Sequence, residues 1–474
     1  MQNLSGIIEK INNEINKLVW GTPMLILLLA VGIYFTFRLK FFQILKIKHI
    51  YDNTVKTLFK GKNSEKKADQ KGISQFQAIS TALAATIGTG SIAGVATAIT
   101  IGGAGAVFWM WVSAIVGMMT IYAENVLGIF FRKKNEKGEW IGGAMYYIQY
   151  GLNSKWLAVL FSIFCVCASF GMGNMVQANS VSTSLSQTYL LSPKITGIII
   201  ALIIGLIILG GIKRIGKVSQ VLVPVISILY ILGTLVVILA NIKIMPTIFS
   251  NIFKEALGIG AVTGGITGTV VKNAISMGVK RGVFSNEAGL GSSVAVHSVA
   301  DVKEPVIQGM WGIVEVFIDT IVVCTLTALV ILSGGALENA SLTGLDGAPL
   351  VIESFRQVMG GFASHLVTFF IVVFAFATII GWEYIGEKAM EYIFGTKSIT
   401  IYRVMFAVLV YFGANMQIKL VWDISDTFNG LMAIPNLIAL AFLSPVVIKL
   451  TKNYMQRKSK KHRIKPMLSA FDKY

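Results

Sequence analysis

Apolar runs long enough to form helices recur along the whole chain, separated by short polar gaps in which Lys and Arg collect. A helix that crosses a bilayer needs ~20 mostly apolar residues. By that measure the pattern predicts about eleven crossings, at 21–38, 74–100, 104–131, 155–189, 194–212, 218–240, 266–300, 305–333, 361–391, 399–417 and 419–449. The fourth and the last are long enough to tilt or to extend into water. The seventh carries Lys272, Lys280, Arg281 and Glu287 and is the most polar of the set. The first run, Thr22 to Phe37, begins late, lacks a clear small-residue cleavage site and precedes a long basic loop, so it predicts a retained helix.

Charge fixes the expected orientation. Arg38, Lys40, Lys46, Lys48, Lys56, Lys60, Lys62, Lys66, Lys67 and Lys71 crowd the 38–73 loop. Arg132-Lys133-Lys134, Lys213-Arg214 with Lys217, and the tail from Lys449 are the other basic clusters. All fall on one side if span seven crosses, and the 334–360 loop with Glu338, Asp346 and Glu353 falls on the other. The positive-inside rule then places the N-terminus outside and the basic tail in the cytoplasm of a cell-membrane protein. Spans two and seven run in opposite directions and each opens a unit of about five helices, an inverted repeat. The expected organisation is an extra helix and basic loop over 1–73, a first repeat over 74–240, an extracellular linker over 241–265, a second repeat over 266–449 and a basic tail over 450–474.

Composition supports a polytopic all-α membrane protein: 54% of residues are hydrophobic and the mean hydropathy is +0.71, too apolar for an ordinary soluble chain. The net charge of +18 lies in the gaps and tail, which argues against nucleic acid as a partner and for a lipid bilayer. Cys165, Cys167 and Cys324 all sit within apolar runs and read as small buried hydrophobes. The four histidines show no ligand spacing, no Walker A motif occurs, and no Ser/His/Asp set lies within the spans. Enzymatic and ATP-driven chemistry are therefore disfavoured.

Two glycine-rich breaks interrupt the apolar pattern at corresponding places in the two halves: Gly88-Thr89-Gly90-Ser91 and Gly289-Leu290-Gly291-Ser292. Unwound backbone inside a membrane must be buried in protein or line a polar cavity, and a matched pair of such breaks points to a transporter binding site. Beyond the first break, the half-helix from Ser91 offers free N–H groups to a carboxylate. The half-helix ending near Ile87 offers carbonyls to Na⁺ or an ammonium group. A zwitterionic amino acid suits that arrangement. The second break is preceded by Phe284, Ser285, Asn286 and Glu287 and ends at Ser292, a set more polar than helix packing requires. Ser285 can lend a hydroxyl to Na⁺, Ser292 a donor to substrate, and Phe284 can close over the site.

Other candidates lie on later helices. Phe170, Asn174 and Gln177 share a face in a regular helix, where amides are costly unless partnered. They are expected either to contact substrate or to hold neighbouring helices. Ala375 and Thr378 can serve a hard cation, although Thr often bonds back to its own helix. Glu124 is expected to brace unwound backbone, Asp319 to take part in cation or proton coupling, and Trp382 to pack or wall a cavity.

The stretch Gly102-Gly103-Ala104-Gly105-Ala106-Val107-Phe108-Trp109-Met110-Trp111-Val112-Ser113-Ala114-Ile115-Val116-Gly117 closely resembles the signature of the alanine/glycine:cation symporter family. Arg281-Gly282-Val283-Phe284-Ser285-Asn286-Glu287-Ala288-Gly289-Leu290-Gly291-Ser292 and Gly142-Gly143-Ala144-Met145-Tyr146-Tyr147-Ile148 are similar to two further stretches of that family. The resemblance implies Na⁺- or H⁺-driven uptake of alanine, glycine or D-alanine, with glutamine in some members. A wider similarity to LeuT-type symporters implies a 5+5 inverted repeat. In that fold the unwound Gly-x-Gly of the first core helix matches Gly88 and Gly90, and the second-helix glutamate matches Glu124. The aromatic gate, hydroxyl ligand and second Gly-x-Gly of the sixth match Phe284, Ser285, Gly289 and Gly291, and the sodium site implies Ala84 and Ile87 with Ala375 and Thr378. Substrate contacts are expected in addition at Thr89, Ser91, Asn286, Ser292 and Trp382, and further cation ligands at Thr86 and Ser285. Ile379 stands where many relatives of that wider fold carry a second hydroxyl.

Overall fold

A computed structural model describes residues 2–59, 72–136, 138–259, 264–337, 344–416, 418–458 and 464–472. Lys60, Lys62, Lys66, Lys67, Lys71 and Glu338, which entered the expected orientation, lie outside these residues. The described chain is almost entirely α-helical, as the recurrent apolar runs require. Among the described residues eight helices are long and apolar enough to cross a membrane, nine if the bent pair Gln75–Thr86 and Gly90–Gly102 counts as one span. The other two expected crossings correspond to Pro193–Ile208, with 16 residues, and to Gly264–Asn286, whose Lys272, Lys280 and Arg281 keep its apolar character low.

Local chemistry sets the helix ends. The first broken helix opens on a capping box: the Ser74 hydroxyl accepts from Gln77 N–H at 3.1 Å, and the Gln77 side chain accepts from Ser74 N–H at 3.1 Å. Proline stands in the first turn of Thr22–Arg38, Pro193–Ile208 and Pro305–Val316, where no N–H is needed. The outward faces carry exposed Leu202, Leu206, Ile228, Leu232 and Leu239. Such an apolar exterior is stable only against lipid.

Several described helices lie outside the spans expected from sequence, three of them longer than the rest. Gln2–Val19 precedes the first crossing, Met245–Leu257 occupies the 241–265 linker, and Gly347–Met359 lies in the 334–360 loop. The linker helix has a structural role, because Glu255 accepts the Gly105 N–H at 3.2 Å and so caps Gly105–Phe130.

The two broken helices run antiparallel. Val95–Gly102, after the first break, packs on Gly264–Asn286, before the second. At the opposite end, Ile73 lies beside Ala300 in a short parallel bridge: Ile73 N–H donates to Val299 C=O at 3.3 Å and Asp301 N–H to Ile73 C=O at 2.9 Å. Phe362–Phe394 packs against Gln75–Thr86 so closely that a Cβ on Gly381 would lie 2.9 Å from the Ala85 nitrogen.

Candidate functional site

Both glycine pairs break their helices. The first helix bends by 49°. Regular α-helix stops at Thr86 and resumes at Val95, with a π-helical stretch over Gly90–Gly94 between. The second stops at Asn286, after which Glu287, Gly289 and Gly291 take φ of 58°, 94° and 74°. Two of those three left-handed positions are glycine, the residue that adopts them without strain.

Further π-helical stretches, Gly171–Met175 and Phe317–Cys324, interrupt the helices that carry Gln177 and Asp319. Such insertions concentrate at functional sites because they leave backbone groups and side chains off the regular helical register. Here they bring Ser91 and Asp319 to one place. The Asp319 carboxylate accepts from the Ser91 hydroxyl at 2.6 Å, from Ser285 at 2.8 and 2.9 Å, and from Thr320 at 2.8 Å. Ser91 and Ser285 are 2.9 Å apart. All four side chains are fully buried. One carboxylate thus joins the first break to the residues just before the second.

On the other side of the first break, the Gln177 side-chain oxygen accepts from the Thr89 hydroxyl at 2.9 Å and from its N–H at 3.2 Å. The Thr378 hydroxyl donates to Ala84 C=O at 2.9 Å, one of the carbonyls left free where the pre-break half-helix ends. A Cβ on Gly88 would overlap that hydroxyl, and one on Gly90 would lie 3.1 Å from the Phe284 ring. Ala375 is buried one turn before Thr378, and Ile87 follows the half-helix end with its N–H bonded to Leu83 C=O at 2.8 Å. Thr86 bonds back to Ala82 C=O at 3.2 Å, within its own helix. Ile379 belongs to an apolar cluster with Ile204, Ile208 and Tyr402.

The second break is held by acids and amides. Glu124 accepts Gly289 N–H at 3.1 Å and the Asn436 amide at 2.5 Å, while Asn436 also donates to Gly289 C=O at 2.9 Å and accepts from Tyr147. Glu287 accepts from Ser292 at 2.5 Å and from the Trp382 indole at 2.8 Å. Asn286 bridges Thr320 and Ala288 N–H, at 3.0 Å each. A Cβ on Gly291 would lie 2.8 Å from the Asn436 side chain.

Phe170 and Asn174 turn elsewhere. Phe170 stacks on Tyr402 with ring centroids 5.3 Å apart, and the Asn174 amide donates to Phe406 C=O at 2.6 Å. The cause is the Gly171–Met175 π stretch: its wider turn rotates the helix beyond it, so Gln177 reaches the first break while Phe170 and Asn174 face the Ser398–Asn415 helix. Gly173 gives Trp382 room, since a Cβ there would overlap the indole.

One end of the site is closed. Phe284 stacks on Trp422 at 5.1 Å, and the Arg281 guanidinium lies 5.4 Å and 5.0 Å from the two rings. Lys280 and Arg281 pair with Asp426 at 2.7 and 3.2 Å, and the Trp20 indole donates to Asp426 C=O at 2.7 Å. Beside the Ile73–Ala300 bridge a cavity of about 410 Å³ is lined by residues that include Ile73, Tyr384, Glu387, Lys388 and Arg403. Sequence reasoning did not find Glu287, Tyr147, Trp422 or Asn436 as site residues. A polar side chain within an apolar run was the available signal for Asn436.

Among the described residues no cluster of three or more His, Cys, Asp or Glu could hold a metal ion. The oxygens gathered at Asp319 and at Thr378–Ala84 are hydroxyl, carbonyl and carboxylate, the donor set of a hard cation.

The chain is similar to known membrane transporters. The profile described as "Sodium:alanine symporter family" matches residues 5–468. The chain is 46% identical over 448 residues to the sodium/alanine symporter AgcS of Methanococcus maripaludis, covering 93% of this chain and 96% of that one. It is 38% identical to the probable sodium/glutamine symporter GlnT of Bacillus subtilis, covering 96% and 92%. Among solved structures, MhsT in complex with L-phenylalanine superposes with a TM-score of 0.55 at 13% identity, covering 81% of this chain and 98% of that one. A substrate-bound, Na⁺-coupled sialic acid symporter gives a TM-score of 0.55 at 14% identity, covering 96% and 93%. These are LeuT-fold transporters, and the likeness establishes that fold here.

Proposed function

We propose, from the premise that this chain belongs to the sodium:alanine symporter family, that it couples Na⁺ influx to uptake of a small neutral amino acid. Alanine and glycine are the proposed substrates, with D-alanine as a further one. The protein is a multi-pass membrane transporter and not an enzyme. Its proposed place is the cell membrane, with the N-terminus outside and the basic tail in the cytoplasm, and the ion-coupled repeats rock around the breaks.

The observation that carries this reading is the buried Asp319–Ser91–Ser285 junction. A cation placed there touches both broken helices at once, so its arrival and departure act on their relative position. Thr378 with the Ala84, Ile87 and Ala375 carbonyls offers a second set of hard oxygen ligands. The amino acid fits between the breaks, its carboxylate toward the Ser91 half-helix, with Thr89 and Gln177 on one side and Phe284 and Trp382 on others. Room is scarce, because Cβ atoms at Gly88, Gly90 and Gly173 would each crowd a neighbour. That favours alanine or glycine over larger substrates.

Glutamine is the alternative substrate, supported by the likeness to GlnT. Proton coupling is the alternative drive, supported by 36% identity to a putative sodium/proton-dependent alanine carrier of Bacillus subtilis. Uptake of radiolabelled alanine into proteoliposomes, under an imposed Na⁺ or H⁺ gradient and with glycine or glutamine competing, decides among them. Alanine accumulation that needs the Na⁺ gradient and is displaced by glycine is the expected result. Accumulation indifferent to Na⁺ overturns the proposal.

A further inference from the structure

A second buried polar cluster lies behind the second break, and the transport reading does not use it. His297 ends the short half-helix Val294–His297. Its Nε2 lies 2.8 Å from Glu315 Oε2, and its Nδ1 lies 2.5 Å from the Gln308 amide nitrogen. All three side chains are fully buried. The remaining oxygens, Gln308 Oε1 and Glu315 Oε1, make no hydrogen bond, and neither polar atom of Asn125 makes one. Asn125 lies against Gly312, one turn before Glu315. Buried polar atoms are ordinarily satisfied, so several unpartnered ones in one place call for an occupant or a change of state.

We propose that His297, Glu315 and Gln308 form a proton-binding site that competes with Na⁺ for the transporter, an inference that rests on the symporter reading above. In the arrangement seen, Gln308 donates to Nδ1, so Nδ1 carries no proton and Nε2–H donates to Glu315. With Glu315 ionised, that arrangement has a neutral ring and a pair bearing one negative charge. A half-turn of the Gln308 amide brings Oε1 to Nδ1, where it accepts from an added Nδ1–H. The proton adds to the Nδ1 lone pair, and the Nε2–H bond to Glu315 persists. Protonation thus exchanges the Gln308 NH2 for its oxygen at Nδ1 and cancels the charge of the pair.

The consequence reaches the cation junction. Asp319 follows Glu315 by four residues on the same helix, about 6 Å along its axis. Removing a negative charge at that distance, inside protein, weakens the pull on Na⁺ at Asp319. The other charged and titratable neighbours are fixed by partners of their own. Glu124 and Glu287 lie within electrostatic reach of Glu315 and are tied to the second break. Arg132 spends its guanidinium on the carbonyls of Ser298, Ala300 and Val302. On Phe362–Phe394, Glu383 and Glu387 face Arg403. Toward the end of the bundle, Arg457 pairs with Glu304 at 2.8 Å, and His49, beside Lys48 and Asp52, contacts Tyr454 at 3.2 Å. Gln75–Thr86 contributes no titratable side chain.

The test is a sodium titration of alanine uptake in proteoliposomes at about pH 6 and about pH 8, the range in which histidine changes charge. In the wild type the half-saturating Na⁺ concentration should be several-fold higher at the lower pH. In His297→Gln, which keeps a hydrogen-bonding side chain, uptake should persist and that shift should vanish. A variant that transports with the wild-type shift, or that loses activity equally at both pH values while keeping the shift, overturns the proposal. A direct readout guards against a variant that does not fold. Nitrogen NMR of the purified protein, with His49, His365 and His462 replaced by Gln, leaves His297 as the sole histidine. Its ring should gain a proton across this range, and added Na⁺ should move that titration to lower pH. A ring that keeps one state throughout overturns the site. If the wild type shows no Na⁺-driven uptake, the symporter reading fails separately, and the NMR titration still decides whether His297 binds a proton.

Discussion

The two breaks share a glycine pair and are held open by different means. The first contains no left-handed residue, runs into a π stretch and is bound by neutral groups: the Gln177 amide on Thr89 and the Thr378 hydroxyl on Ala84 C=O. The second takes left-handed dihedrals at Glu287, Gly289 and Gly291, and carboxylates grip it from Glu124 and Glu287. On the proposed function, the first break would exchange its bonds for those of an ion or substrate, while the second stays as a frame, both backbone groups of Gly289 being held by Glu124 and Asn436. Asp319 is the exception that reaches across, and through Ser91 and Ser285 it lets the frame respond to what the first break holds.

This contrast can be broken most strongly at Gly88. Gly88→Ala forces a Cβ onto the Thr378 hydroxyl. Overpacking of about 1–3 kcal/mol at the proposed ligand carbonyls should abolish measurable uptake while purified protein still folds. Uptake near wild type would show that the first break is not close-packed there. Glu124→Ala attacks the frame instead. It leaves Gly289 N–H and one Asn436 bond unmet, at about 1–3 kcal/mol for each buried donor. The expected outcome is a lower melting temperature in detergent, with any surviving transporter retaining its substrate preference. Thr378→Ala is milder and should raise the Na⁺ concentration for half-maximal uptake several-fold; an unaltered sodium titration counts against that cation site. The smallest effect belongs to Phe170→Leu. Phe170 packs on Tyr402 away from both breaks, so alanine affinity measured by competition should stay within about twofold, less than 0.5 kcal/mol.

Much of the architecture was legible because its physical causes are local. Runs of apolar residues announce spans, and a Gly-x-Gly within such a run announces unwound backbone. Glu124, Gln177 and Asp319 stood out as polar groups in apolar surroundings. What escaped depended on distance or on register. Asn436 meets Glu124 across 312 residues of chain, and nothing local marks that meeting. The face shared by Phe170, Asn174 and Gln177 holds for an ideal helix, and the π insertion at Gly171–Met175 splits it. Helices such as Met245–Leu257 fell below a ruler cut for bilayer thickness. Span seven drew attention through its Lys and Arg, and those residues turn out to close one end of the site through Asp426.

The small bridge between Ile73 and Ala300 acts as a mechanical fuse. Its two backbone bonds clip the entrance of one broken helix to the exit of the other. Any motion that parts the helices there must break both. The Ile73 and Asp301 amides are therefore natural reporters: their deuterium exchange should quicken during turnover and slow when the opposite door is held ajar.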